Sequence, residues 1–391
     1  MYNTSTCIYS LKSIPNATFS NQEHVIPACI GGKKKLPTGY VSDEVNALFS
    51  KLELEFARKT EIAWMRAVYG PGKRGSLSLQ NATESEIHIV EDINGGNIGL
   101  GYIKLGEPYG VNSIFINKNS GEVRFSLQPK EDVTHDKLFI NFLDQLKSLC
   151  VDKPVNVIPN DRLSESEYIL GFHSGKWYIA YNPIQNVETV VQGMSQFVSA
   201  VIEQTPNEKV NEMREGIKNL SIHSSQITMD MSTKFNVNDY YRILAKIALN
   251  CLAHLKGDDF VLQSEFDSIR KAIYNGEAMG KYFDQMIYNT KNIFDKEQGS
   301  FGDIFRHTES QIGQNLLSDH YHCIFFFSVL GKQKCAIGLY GFDRPHILNL
   351  AEATTEPVFD AFICNWRTET EMDLLSYIMS FHTKIDKSNE E

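Results

Sequence analysis

Cysteine pairs, long apolar runs and nucleotide-binding glycine motifs are all missing from this sequence. Its seven cysteines are scattered and none forms a C-x-x-C pair, which argues against a disulfide framework and against an intact cysteine zinc site. No apolar run reaches the roughly 18 residues that a membrane helix needs, so no membrane partner is expected. The N-terminus lacks a basic segment followed by an apolar core, so we expect no secretory signal and a cytoplasmic location.

Acidic residues are in excess overall, but not in the N-terminal part of the chain. The net charge of −10 is unusual for a protein that binds nucleic acid. Residues 1–75 nevertheless carry ten Lys/Arg against six Asp/Glu, a balance of +4 that leaves −14 for the remainder. A local basic field of this kind attracts phosphates even when the whole chain is acidic.

The length of 391 residues and the positions of the turn-rich segments predict three domains in an α+β protein. A Gly/Pro/basic cluster at residues 70–75 ends the first, and a polar stretch that begins at Thr205 ends the second. We therefore expect a compact, basic module at residues 1–75, a mixed, β-rich region at residues 76–205, and a mainly helical region at residues 206–391 that ends in a β-hairpin.

Period-two and helical patterns predict the elements of the two later regions. The middle region should contain helices near residues 136–149 and 188–203 and strands near residues 87–90, 98–105, 113–117, 168–172 and 177–181. The C-terminal region should contain helices at residues 240–255, 266–274 and 279–294 and hairpin strands at residues 322–330 and 335–341.

The segment with the clearest chemical pattern begins at Glu23-His24-Val25-Ile26-Pro27 and continues through Gly31-Gly32. Hydrolysis of a phosphodiester needs a base with a pKa near neutrality, which is the ordinary range of histidine. It also needs a cation that stabilises the developing negative charge, and hard cations prefer oxygen ligands. Glu23 next to His24 offers both kinds of group, and Lys33, Lys34 and Lys35 follow in a loop that can contact a phosphate backbone.

A strand–loop–strand–helix order is predicted around these residues. The glycine pair interrupts a first strand, a second strand runs near Tyr40 and Val41, and a helix begins at about Asp43. Its apolar positions recur at helical spacing, and Glu53 lies on the same helix, two turns beyond Asn46.

The stretch resembles the HNH nucleases, which have a ββα-metal fold, in its E-H-V-I-P, G-G, Asn and F-S-x-L-E elements. The resemblance implies that His24 is the general base, that Asn46 holds the histidine or its loop in place, and that Glu23 and Glu53 are metal ligands, with Glu55 as the alternative to Glu53. It further implies Mg²⁺ or Mn²⁺ as cofactor and DNA as substrate, with RNA not excluded. The residues expected to bind nucleic acid are Lys33, Lys34, Lys35 and Arg58. Weaker resemblance to long members of this group continues in residues 242–257 and 266–277.

One departure concerns the structural zinc that often braces this family. The positions that match its two C-x-x-C pairs are Cys7 with Ser10 and Ser42 with Val45, and Cys7 alone is a cysteine. A site with one thiolate should not hold zinc tightly. We expect side-chain packing to stabilise this segment in place of the metal.

Three functional hypotheses remain open. The first is a metal-dependent endonuclease which, by analogy at the level of the fold, belongs to bacterial defence against phage. The second is a catalytically silent protein that keeps the fold for binding nucleic acid or for assembly, and the third is a nuclease effector gated by a small ligand. The C-terminal region is the expected site for a protein partner or for a homo-oligomer contact. His320 and His322 lie on a predicted strand without a third ligand, which favours ordinary strand residues over a metal site.

Overall fold

The computed structural model of the protein describes residues 5–72, 75–92, 98–128, 133–147, 155–204, 227–228, 235–284, 316, 318–341 and 345–380. Its helices are α1 (Asp43–Lys59), α2 (Glu61–Val68), α3 (His135–Lys147), α4 (Val187–Gln204), α5 (Val237–Lys256), α6 (Asp258–Val261) and α7 (Asp267–Asn275). Its strands are β1 (His88–Asp92), β2 (Ile98–Lys104), β3 (Glu107–Gly110), β4 (Ser113–Asn117), β5 (Glu122–Ser126), β6 (Val155–Pro159), β7 (Glu167–His173), β8 (Lys176–Tyr181), β9 (Ile227–Thr228), β10 (Tyr321–Val329), β11 (Lys332–Gly338), β12 (His346–Ala351), β13 (Asp360–Asn365) and β14 (Thr370–Asp373). Helices and three sheets together confirm the α+β class.

The chain forms two compact units whose boundaries differ from the predicted ones. The first unit combines residues 1–83 with residues 233–391, and the second contains residues 84–232. The predicted module at residues 1–75 and the predicted region at residues 206–391 are therefore not separate domains. The physical reason is a shared core, in which Phe49 and Phe56 of α1 belong to the same buried cluster as Leu249 of α5 and Phe326 of β10.

The second unit contains two sheets, with strand orders β3-β2-β1-β9 and β5-β4-β7-β8-β6. Helices α3 and α4 share a core with the five-stranded sheet. Phe139 and Phe142 of α3 are buried with Trp177 of β8 and Met194 of α4. The predicted strands and helices of this unit are confirmed, whereas β3, β5, β6 and β9 were not predicted.

Helix α5 is the longest element that the structure describes in the first unit. The Asn236 side chain accepts hydrogen bonds from two backbone N–H groups in its first turn, and Gly257, with φ 91°, follows its last residue. Residues 242–253 are buried, so α5 is enclosed on all its faces rather than on one. The predicted helix at residues 240–255 is confirmed.

The predicted hairpin near the C-terminus is confirmed as β10 and β11, but it is not the end of the fold. Three further strands extend it into the sheet β12-β11-β10-β13-β14. The predicted helix at residues 279–294 is replaced over Met279–Tyr282 by a short 3-10 turn, and its last ten residues lie outside the described part of the chain. Among the described residues, no helix has both the length and the apolar character needed to cross a membrane.

Candidate functional site

A short hairpin presents the first group of predicted residues. The backbone N–H of Val25 donates to the carbonyl of Lys34 at 3.0 Å, and the N–H of Leu36 donates to the carbonyl of Glu23 at 2.8 Å. These bonds make residues 23–25 and 34–36 an antiparallel pair, and α1 follows it along the chain. The strand–loop–strand–helix order is thus present, although the return strand is at residues 34–36 rather than near Tyr40 and Val41.

The Gly31-Gly32 pair is needed for the loop of this hairpin. Gly31 has a φ of 101°, the left-handed region that favours glycine. A Cβ atom on Gly32 would lie 1.9 Å from the carbonyl oxygen of Ile26, so a side chain cannot be accommodated without a backbone shift. The glycine motif therefore has a structural cause that does not depend on any activity.

His24 and Lys35 are directly opposite each other in the hairpin. Because the backbone hydrogen bonds are made by their neighbours, they form a non-hydrogen-bonded pair, the arrangement that brings side chains closest. Glu23 and Val25 are buried while His24 is only partly buried and Lys35 is exposed, as alternation along a strand requires. A histidine and an ammonium group therefore lie side by side on the outer face of the hairpin.

The environment of His24 favours the neutral imidazole. Burial is the main cause of its lowered pKa, and the positive charge of Lys35 is the second, with smaller contributions from Lys246 and Lys33. The negative charge of Glu23 acts in the opposite direction. A neutral imidazole can accept a proton, and the exposed ammonium of Lys35 beside it can attract an anion.

Glu23 and Glu53 lie on the buried side of the hairpin, opposite to His24 and Lys35, and both contact the ammonium of Lys246. The ammonium Nζ of Lys246, on α5, lies 2.8 Å from Oε1 of Glu23 and 2.5 Å from Oε1 of Glu53. The Lys246 side chain has no exposed surface, and it also lies 5.7 Å from the centroid of the Phe49 ring. Its charged partners hold the pKa of Lys246 above its usual range although burial opposes this, whereas burial raises the pKa of Glu53.

These two carboxylates do not fit the metal site that the resemblance implies. One oxygen of each carboxylate already accepts a hydrogen bond from the Lys246 ammonium, and a divalent ion bound by the same oxygens would lie in contact distance of that positive charge. The exposed fractions of the side chains are 5% for Glu23 and 20% for Glu53, so neither can easily turn to solvent. The two predicted ligands do share one cation, but that cation is Lys246.

Asn250, one helical turn beyond Lys246, holds the backbone of His24. Its Nδ2 donates to the carbonyl oxygen of His24 at 2.9 Å, and its Oδ1 accepts from the hydroxyl of Tyr9 at 2.6 Å. The carbonyl of His24 makes no bond to the opposite hairpin strand, so Asn250 satisfies a group that would otherwise lack a partner. Lys246 and Asn250 were missed as site residues, although two polar residues four positions apart inside an apolar helix are a detectable signal.

Asn46 is not brought to His24. It lies in the first turn of α1, where its backbone N–H donates to the carbonyl of Ser42 at 2.9 Å. Within the described residues its side chain makes no hydrogen bond to His24. The role predicted for Asn46, support of the histidine through a side-chain amide, is performed in this structure by Asn250 on the carbonyl of the same residue.

Glu55 and Arg58 are exposed on α1 and face away from the carboxylate cluster. Glu55 forms an ion pair of 2.6 Å with Lys59, one turn along the helix, and both side chains are more than half exposed. Arg58 is exposed in the last turn. Of the alternative pair Glu53 and Glu55, Glu53 is therefore the residue that points inward.

The predicted basic loop is partly neutralised by the C-terminal sheet. Glu371 of β14 accepts the backbone N–H groups of Lys33 and Lys34 at 3.0 and 2.5 Å, and Glu369 forms an ion pair of 3.0 Å with the Lys33 side chain. Lys35 is the member of the group that lies beside His24. The phosphate contact predicted for Lys33 would require the carboxylate of Glu369 to move.

The positions at which the resemblance would place a structural zinc lie in a packed segment. Cys7 and Val45 are fully buried, and the backbone N–H of Ser42 donates to the sulfur of Cys7 at 3.4 Å. The N–H of Ile8 donates to the carbonyl of Tyr40 at 2.9 Å. These contacts join the N-terminal segment to the start of α1.

His322 of β10 is hydrogen-bonded to the loop of the hairpin. Its Nε2–H donates to the carbonyl of Ile30 at 2.8 Å, and its Nδ1 accepts the backbone N–H of Tyr340 at 3.0 Å. Both ring nitrogens of a fully buried imidazole are thus used by the neutral form. Burial lowers the pKa of His322 to about 4.

This histidine predicts a dependence of stability on pH. The folded protein binds the proton of His322 less tightly than the unfolded chain, whose histidine has the ordinary value of 6.5. The contribution of His322 to the free energy of unfolding is therefore complete above pH 6.5. It is lost as the pH falls toward 4, and the loss over this whole window is about 3 kcal/mol. Urea unfolding at several pH values should show a steeper loss in the native protein than in His322→Gln. Equal slopes for the two proteins would contradict the prediction.

No family model, no curated protein and no solved structure matches this chain. Functional inference therefore depends on the residues themselves. The structure presents His24 and Lys35 on an outer face, and it pairs Glu23 and Glu53 with Lys246 on an inner face.

Proposed function

We propose that the protein is a nuclease which hydrolyses phosphodiester bonds of DNA, with RNA as a second possible polymer, and which uses His24 as its general base. The observation that carries the proposal is the cross-strand pair of His24 and Lys35 on the outer face of the hairpin. A group that accepts a proton and a group that attracts a phosphate are thereby placed next to each other.

The reaction assigns one role to each of these side chains. The neutral ring of His24 accepts a proton from a water molecule as the water oxygen forms its bond to phosphorus. The bond between phosphorus and the 3′-oxygen then breaks, and the leaving oxygen takes a proton from solvent. The ammonium of Lys35 attracts the non-bridging oxygens and offsets the negative charge that increases on them.

A divalent ion, Mg²⁺ or Mn²⁺, remains part of this proposal through the resemblance to HNH nucleases. When bound, such an ion would stabilise negative charge on the phosphate and on the leaving oxygen. Glu23 and Glu53 do not suit it while Lys246 lies between them, so we assign the ion no ligands.

A second candidate function is the binding of nucleic acid without cleavage. The Lys246 ammonium favours it, because a permanent cation between the two predicted ligands removes the expected metal site. The exposed lysines near His24, Lys33 and Lys35, would serve binding equally well. The two candidates share a binding surface and differ in whether His24 has a chemical role.

The experiment that separates them uses supercoiled plasmid and single-stranded RNA as parallel substrates. The purified full chain is incubated with each in Mg²⁺, in Mn²⁺ and in EDTA, and both cleavage and retention on a native gel are recorded. Cleavage that disappears in EDTA supports a metal-dependent nuclease, and cleavage that persists supports a reaction of His24 without a metal. Retention without cleavage supports the silent protein, and neither cleavage nor retention contradicts both.

Release of Lys33 from its acidic partner is expected to strengthen nucleic-acid binding. In Glu369→Gln the exposed ion pair with Lys33 is lost, and the free ammonium can contact a phosphate. We expect an affinity about two- to fivefold higher at low salt, the range that an exposed ion pair is worth. Glu352→Gln is the matched control, since it makes the same charge change at another exposed pair, that with Lys332. Equal effects of the two variants on a fluorescence-anisotropy titration would show that overall charge, and not Lys33, is responsible.

A further inference from the structure

Lys246 has a position that a side chain seldom occupies. Its ammonium group is fully buried, and it is shared by two carboxylates that come from different elements, Glu23 on the hairpin and Glu53 on α1. Lys246 itself comes from α5, which lies almost two hundred residues further along the chain. Three segments of the first unit thus meet at one positive charge.

We propose that Lys246 is the resident cation of the carboxylate pair, occupying in the native protein the position that a divalent ion would take between Glu23 and Glu53. The charges support this assignment, because two carboxylates around one ammonium leave a single negative charge, whereas the pair alone has the charge and the oxygen ligands that suit a divalent ion. A metal ion and the ammonium cannot bind the same oxygens together.

The ammonium is held in place by its own helix. Residues of α5 on both sides of Lys246 are fully buried, so the helix cannot turn to release it. Asn250, on the same face one turn later, is bound to the carbonyl of His24 and to the hydroxyl of Tyr9, and that hydroxyl also donates to the carbonyl of Lys246 at 3.2 Å. A rotation of α5 that withdrew the Lys246 side chain would therefore break these hydrogen bonds as well as the two ion pairs.

Two consequences follow for the native protein. Its affinity for Mn²⁺ should not depend on Glu23 or Glu53. The two carboxylates should instead have a structural role, in which their ion pairs with Lys246 join α5 to the hairpin and to α1. If Lys246 is replaced by an apolar side chain of similar length, the pair should instead become a site for a divalent ion. This inference concerns only the carboxylate pair, and it does not depend on whether His24 is catalytic.

The test is a titration of Mn²⁺ followed by electron paramagnetic resonance on four full-length proteins. These are the native chain, Glu53→Gln, Lys246→Met and the double variant Lys246→Met/Glu53→Gln. We expect the native chain and Glu53→Gln to bind Mn²⁺ equally. Lys246→Met should gain a site with an affinity at least about tenfold higher than any site of the native chain, and Glu53→Gln should remove that gain.

Two results would overturn the inference. One is binding of Mn²⁺ by the native chain that is weakened in Glu53→Gln, which would mean that a metal binds the pair in spite of Lys246. The other is a folded Lys246→Met protein, verified by its circular dichroism, that gains no site. If Lys246→Met does not fold, the comparison of the native chain with Glu53→Gln and Glu23→Gln decides, since unchanged binding supports the inference and weakened binding refutes it. Cleavage is not measured in any arm, so failure here is distinct from failure of the proposed nuclease.

Discussion

Replacement of Lys246 by methionine is expected to lower the free energy of unfolding of the first unit by about 3–5 kcal/mol in the absence of divalent ions. The substitution leaves two buried carboxylates without their common cation, and the cost of an uncompensated buried charge is much larger than the value of the intact pair. The loss should be reduced in Lys246→Met/Glu23→Gln/Glu53→Gln, because no charge then remains to be compensated.

The matched control is Lys59→Met, the same substitution at an exposed ion pair with Glu55. Its effect should remain within about 0.5 kcal/mol. Urea unfolding can be followed by tryptophan fluorescence in a Trp177→Phe background, where the two remaining tryptophans, Trp64 and Trp366, lie in the first unit. Equal destabilisation by the two lysine substitutions would show that the buried ammonium has no special role.

Replacement of His24 by alanine is expected to reduce the rate of nucleic-acid cleavage by about 10²–10⁴-fold, the usual contribution of a general base. Binding should change little, since Lys35 and its neighbours remain on the surface of the hairpin. The loss should therefore be seen in the rate at saturating substrate and not in the concentration needed for saturation.

His254→Ala provides the control for this substitution. His254 is a partly buried histidine of α5 whose ring contacts Phe362, and burial lowers its pKa as it does that of His24. It has no place in the proposed reaction, so its replacement should leave the cleavage rate within about twofold of the native rate. A loss of similar size in both variants would indicate damage to the fold rather than removal of a base.

Much of the secondary structure was predictable from local patterns, because periodicity reports which face of an element is buried. The strand Ser113–Asn117, the helix Val237–Lys256 and the hairpin at β10 and β11 are examples. The three strands after the hairpin were not predicted, and neither was the joining of residues 1–83 to residues 233–391. Both depend on contacts between distant parts of the chain, which no local pattern records.

The candidate site was predictable only in part, for the same reason. The motif grouped Glu23 and Glu53 as metal ligands, and in the structure the two carboxylates do meet, at the ammonium of Lys246. It did not indicate that Lys246 supplies that cation or that Asn250 holds the carbonyl of His24, because both residues come from a helix far along the chain. The motif also did not indicate that Glu369 would form an ion pair with Lys33 or that Glu371 would accept a hydrogen bond from its backbone N–H.

Whether His24 acts as the general base is tested most directly by chemical rescue. His24→Gly removes the ring and leaves space for a free imidazole, which can then accept the proton in its place. We predict that this variant cuts about 10²–10⁴-fold more slowly than the native protein and that added imidazole restores part of the rate in proportion to its concentration. Cleavage by His24→Gly at the native rate, independent of imidazole, would contradict the proposed role of His24.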